Sequence, residues 1–162
     1  MSTSTGSRCV RVLVYGTGMG FFYPLILLGL YLGIETVPLP MAFIYWGIIK
    51  LILAYGVLCL YQLNHQFKYA LVAILLFASG IFSFYPPHPA LTLGVEALAM
   101  TGFSLTIFDI GRIRPETNLQ LAGGLIFLGV IFSMLPSGAL EFAGAAALLF
   151  GLLLTATRLM RL

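Results

Sequence analysis

Charge is what this sequence has least of. Asp, Glu, Lys and Arg make up only 8% of its 162 residues, where an ordinary soluble domain carries about 25%. Hydrophobic residues account for 60%, and the mean hydropathy is +1.07. A soluble domain of this size buries only about 70% of the surface its unfolded chain exposes, so one aqueous core is excluded and lipid must cover the rest. The formal charge of +3 rests on few, scattered residues, which excludes a nucleic-acid-binding face.

Catalytic and ligating groups are equally scarce. The two histidines, His65 and His88, fall in loops expected on opposite membrane faces. About 30 Å of hydrocarbon then separates them, which excludes a shared haem or metal. The two cysteines, Cys9 and Cys59, form no C-x-x-C and both lie toward the end expected in the cytoplasm, where thiols stay reduced. No structural disulfide is expected from that placement. The chain has no H-E-x-x-H, G-x-S-x-G or Walker loop, so nothing supports a metalloprotease, serine hydrolase or NTPase, and no cofactor is expected. Carboxylates do not cluster either; Asp109, one turn before Arg112, is expected to pair with it at the membrane interface.

Long apolar runs are what the sequence has instead. The first contains "RVLVYGTGMGFF" (11–22), which imitates the strand and glycine turn of a dinucleotide site, with Glu35 near the distance of a ribose-binding acid. The imitation fails in detail, because the third glycine arrives one residue early and Phe21 stands where a small residue belongs. The following "FFYPLILLGLYLG" has no charge and contains Pro24, so 12–34 reads as one membrane span. Its length exceeds a signal-peptide core and no small-x-small site closes it, so it is retained as a mature helix. Its glycines, Gly16 with Gly20 and Gly29 with Gly33, have the spacing that lets a second helix approach closely, although glycine is also simply common in membrane helices.

Proline, glycine and charge divide the remainder into spans at 41–63, 69–84, 90–110, 119–135 and 140–157. The whole chain, 1–162, thus reads as a single all-α domain of six transmembrane helices in three hairpins; the shortness of the third and fifth runs leaves four or five crossings open. Basic residues favour six. Arg8, Arg11, Lys68, Arg112, Arg114, Arg158 and Arg161 all fall on one side of a six-span chain, and the opposite loops around Glu35, "YPPHP" and Glu141 contain neither Lys nor Arg. That is the positive-inside pattern, with both termini cytoplasmic and the plasma membrane as the expected location. Two outer segments also echo each other: "GIFSFYPPHPAL" (80–91) and "GVIFSMLPSGAL" (129–140) share Phe-Ser-x-x-Pro and an Ala-Leu restart. The second and third hairpins therefore read as tandem copies, with Ser83 matching Ser133 and Pro86 matching Pro136.

Tyr45, Trp46, Tyr61 and Tyr69 sit near span ends and read most simply as interfacial anchors, with Trp46 somewhat deep for that role. Lys50 and Glu96 do not fit so simply. Counted at about 1.5 Å per residue from the outer helix ends, they lie about 14 Å and about 9 Å deep. Insertion of such a charge costs about 2.5 to 3.5 kcal/mol, so the pair reads as a buried ion pair, a path for ions or substrate, or a contact with a partner subunit.

Three functions remain open. The first is a small non-enzymatic subunit of a larger membrane complex, favoured by short loops and by glycine- and alanine-rich faces such as "AGAAALLFG" with Gly144 and Gly151. The second is a small homo-oligomeric transporter or channel using Lys50 and Glu96. The third, a membrane enzyme acting on lipid or quinone, has no positive support. Expected partners are membrane lipids and either other integral membrane subunits or further copies of the chain.

Overall fold

The first apolar run does not fold as one rod. In the computed structural model, which describes residues 3–34 and 37–162, it forms α1 (Thr3–Gly20) and α2 (Phe22–Tyr31). Together they make one pass, Gly6–Tyr31, which begins earlier than the expected 12–34 span and is kinked at Phe21, where the backbone stays helical with φ −65° and ψ −19°. Pro24 supplies no N–H for the Gly20 carbonyl four residues back, and its ring crowds that turn, so the kink falls at Phe21. Helical bonds persist on either side, from Phe21 N to Thr17 O at 3.2 Å and from Leu25 N to Phe21 O at 3.3 Å. The glycine-rich stretch is therefore the approach to a helix kink. Glu35 and Thr36, in the loop that follows, lie outside the described residues.

Five more passes follow: α3 (Leu39–Asn64), α4 (Phe67–Phe84), α5 (Pro89–Ile113), α6 (Thr117–Ser133) and α7 (Gly138–Leu159). Prolines set several of these limits: α3 and α5 each carry one in the first turn, where a missing N–H costs nothing. The α1–α2 pass, α3, α4, α5 and α7 are long and apolar enough to cross a membrane. α6 is apolar but has only 17 residues, about 25 Å of helix. The protein is thus an all-α polytopic membrane protein. Its large exposed side chains, among them Leu71, Ile74, Leu98 and Phe150, form the surface that lipid covers.

Each pass packs against the next in sequence, and α7 returns to pack on α1 and α2, closing the bundle into a ring. Glycine sets the approach distances. A methyl group placed on Gly16 would lie 2.6 Å from Leu53 Cδ2, one on Gly20 would lie 3.1 Å from Ile49, and one on Gly56 would lie 2.7 Å from Leu13 Cδ2. Leucine knobs thus fill glycine holes in one antiparallel register. The same register brings Cys9 opposite Cys59, and the two form a disulfide with a Cα–Cα distance of 5.4 Å. The expectation of no structural disulfide is therefore corrected. It considered local motif and compartment, whereas the pairing depends on how α1 and α3 align.

Elsewhere the backbones themselves touch. Methyl groups on Gly129 and Gly144 would meet Leu148 N at 2.8 Å and Ser133 N at 2.7 Å, and one on Gly151 would meet Ile126 N at 2.9 Å. Gly29 and Gly33 behave otherwise. Nothing on another helix approaches Gly29, whose nearest neighbour is the Ile34 carbonyl, and Gly33 has φ +76° beyond the end of α2. Gly33 takes the left-handed position that L side chains resist at the helix end, and the Gly29 carbonyl accepts from Leu32 and Ile34 there.

The sequence echo acquires a twist. In α4, Gly80 and Ser83 press against Gly47 of the preceding helix, whereas in α6, Gly129 and Ser133 press against Gly144 of the following one. The same Gly–Ser segment serves different neighbours. The α4–α5 hairpin consequently lacks the backbone contact that joins α6 to α7, its close approach being Gly102 against the Val72 side chain at 2.8 Å.

Candidate functional site

The helix kink shapes a central cavity. Below it, α1 packs between α3 and α7; beyond it, α2 leans onto α7 and makes little contact with α3. The opening left on the inner side of α2 is a cavity of 460 Å³ at the end of the bundle away from the basic residues, and every pass lines it. Tyr23, Lys50, Ser83, Glu96, Ser133 and Gly144 contribute one residue from each. The paired serines of the sequence echo thus face the same space.

Its floor is a hydrogen-bonded cluster assembled from three helices. Lys50 of α3 forms an ion pair with Glu96 of α5, and Lys50 Nζ also donates to Ser79 Oγ of α4 at 3.0 Å. The Ser79 hydroxyl in turn donates to Glu96 Oε2 at 2.5 Å. On the other carboxylate oxygen, Trp46 Nε1 donates to Glu96 Oε1 at 2.7 Å. Tyr23 stacks on the Trp46 ring with centroids 4.6 Å apart and planes 8° apart, and this fixes the indole in line with the carboxylate. Lys50 is 1% exposed while Glu96 is 27% exposed. The acid therefore faces the cavity, and the base stands behind it.

Sequence reasoning missed two members of this cluster. Trp46, expected as an interfacial anchor, is 3% exposed and acts as a donor to Glu96. Ser79 was not singled out; the signal was a hydroxyl one turn before Ser83, on the same face of an otherwise apolar span. Tyr69 is also no anchor, being 1% exposed in the core. Tyr45 ties α3 to the kink, its hydroxyl donating to the Met19 carbonyl at 2.5 Å, and Tyr61 packs edge-on against His65.

A second carboxylate stands at the cavity mouth. Glu141, in the first turn of α7, accepts a hydrogen bond from the Tyr31 hydroxyl at the end of α2, and Phe142 packs edge-on against the same tyrosine. These contacts hold α2 to α7 at the end of the bundle where the cavity lies.

The basic end is built differently. Asp109 pairs with Lys68 at the start of α4, not with Arg112 on its own helix, which corrects the expected interfacial pair. Sequence spacing registers only neighbours within a helix, while the α4–α5 packing sets Lys68 across from Asp109. Arg158 of α7 lies 3.7 Å from Glu116. A second cavity of 720 Å³ opens here, lined by Arg11, Asn64, Tyr69, Arg114 and Leu159 among others. Leu13, Leu53, Phe103, Ile107 and Leu152, all 0% exposed, pack at mid-helix. Among the described residues, the buried hydroxyls of this layer bond within their own helices, Thr17, Thr106 and Thr155 to the carbonyl four residues back and Ser104 to the carbonyl three back.

Among the described residues, no group of three or more His, Cys, Asp or Glu side chains is placed to hold a metal ion. No family model matches the chain, and neither does any curated protein or solved structure.

Proposed function

We propose that the protein is a small membrane carrier that binds a solute in the outer cavity and passes it along the axis of the helix ring. One observation carries this reading: a 460 Å³ cavity lined by all six passes, with an ion pair of Lys50 and Glu96 on its floor. Pockets that bind small molecules span about 300 to 1,000 Å³ and combine apolar walls with a few convergent polar groups. Intramembrane charges in contact with a cavity are the usual marks of a substrate path. The packed mid-helix layer between the two cavities is what a carrier needs and an open channel does not.

The subunit reading drew on small-residue faces. Gly16, Gly20, Gly144 and Gly151 are occupied by helices of the same chain, so they no longer argue for an external partner. We further propose a plasma-membrane location with both termini cytoplasmic, on the strength of the seven basic residues at one end. The Cys9–Cys59 disulfide lies at the same end, with Cys9 buried and Cys59 partly buried, so the orientation rests on the basic residues alone.

Reconstituted proteoliposomes test the carrier reading with three probes, tetraethylammonium, benzenesulfonate and xylose. Saturable uptake of one class, reduced by Glu141→Gln at the cavity wall, is the expected result. Uptake of all three at the rate of protein-free liposomes would overturn it.

A further inference from the structure

If the protein is a carrier, the cavity wall selects its solute, and we propose that this solute is a small organic cation, an amine or quaternary ammonium with an apolar body. The inference rests on the carrier reading and on the charges the cavity presents. Three ionisable acids and bases line it: Lys50, Glu96 and Glu141. Lys50 is 1% exposed and directs its ammonium to Glu96 and Ser79, so an entering solute does not meet it. The charges it does meet are carboxylates, Glu96 on the floor and Glu141 at the mouth. One ammonium against two carboxylates leaves the cavity net negative, and its apolar walls weaken screening. An anion is repelled.

The walls distinguish between kinds of cation. A hard inorganic ion must exchange its hydration for about six or more oxygen ligands. Here both carboxylates already accept from Trp46, Lys50, Ser79 or Tyr31, and among the described residues no metal-holding group is present. Four rings, Tyr23, Tyr31, Phe43 and Phe82, share the walls with aliphatic side chains, and Trp46, 3% exposed, lies behind Tyr23. Ring faces attract a diffuse ammonium through their quadrupoles and bury its alkyl groups at the same time. Carboxylates and rings together therefore fit an organic cation, which sheds water far more readily than a metal ion.

Trp46 makes this measurable, because it is the chain's one tryptophan and its indole lies at the cavity floor. The purified protein in neutral detergent is titrated with benzyltrimethylammonium, benzenesulfonate and benzyl alcohol while Trp46 emission is recorded. A saturable change with the ammonium, absent with the sulfonate, is expected. Glu141→Gln should weaken ammonium binding on the order of tenfold with helix content unchanged, since the glutamine oxygen can still accept from Tyr31. Glu141 is the position to vary, since Glu96→Gln strands the buried Lys50 and compromises the fold. Phe43→Leu, which keeps apolar bulk and removes a ring, should weaken binding about threefold. Saturable binding of the sulfonate or the alcohol in place of the ammonium overturns the inference and leaves the carrier reading intact. Ammonium binding indifferent to Glu141→Gln overturns it as well. Ammonium binding without uptake in proteoliposomes supports the site's chemistry and removes the carrier reading instead.

Discussion

Breaking the Lys50–Glu96 pair from either side should not be symmetrical. Glu96→Gln leaves an ammonium that is 1% exposed with only the Ser79 oxygen and a neutral amide for company. An uncompensated charge at such a site costs about 3 to 5 kcal/mol. Lys50→Met leaves the carboxylate instead, and Glu96 keeps the Trp46 and Ser79 donors and its 27% exposure to the cavity. Loss of one charged hydrogen bond there costs about 1 to 2 kcal/mol. In the double variant, methionine fills the space of the lysine stem and the glutamine retains its neutral donors, so no charge is stranded. The double change should then cost about as much as Lys50→Met alone, so the coupling equals the cost of stranding the lysine, about 3 to 5 kcal/mol. The assay is reversible unfolding in mixed detergent micelles by increasing sodium dodecyl sulfate, followed by far-UV circular dichroism of the four proteins. Additive costs, or Lys50→Met proving the more damaging single change, would refute the claim that the cavity hydrates the acid and the bundle isolates the base.

Three further predictions address packing, covalent linkage and orientation. A methyl group at Gly123 would lie 2.8 Å from the Ser104 carbonyl oxygen, whereas the adjacent Gly124 has nothing within 4 Å; Gly123→Ala should therefore destabilise by about 1 to 3 kcal/mol, and Gly124→Ala should be neutral or stabilising by up to about 1 kcal/mol, as read by the same unfolding titration. The Cys9–Cys59 bond spans a sequence separation of 50 residues, so paired Cys→Ser changes should cost up to about 4 kcal/mol by loop-closure entropy; quantitative alkylation of both thiols in unreduced, denatured protein would show the bond absent. A cysteine introduced at Asn118 should resist impermeant maleimide in intact cells and label after permeabilisation, and labelling from outside would reverse the proposed orientation.

The lessons of sequence and structure divide along physical lines. Composition alone determined that lipid is the solvent, because water cannot accommodate so much apolar surface with so few charges. The turn prolines and polar segments determined where most helices end: α3 to α7 start and finish within a few residues of the runs read from the sequence, since prolines and charges act locally on backbone hydrogen bonding and on burial. Lys50 and Glu96 were visible as expensive residues in apolar runs, and an ion pair between them was one of the readings open. Their meeting was decided only by the ring closure that sets α3, α4 and α5 side by side, and with it the recruitment of Ser79 and Trp46. Tertiary packing also overrode the local readings of Asp109, which faces Lys68 on the neighbouring helix, and of Cys9, which faces Cys59. In both cases the partner lies on another helix, and the relative alignment of two helices depends on which glycine receives which leucine. That choice is a property of matched surfaces, and a single run of sequence holds only one of the two. The cavity is the clearest instance: the sequence placed Pro24 inside one continuous span, and the space exists because α2, turned at the proline kink, leans on α7 and leaves the carboxylate of Glu96 partly exposed.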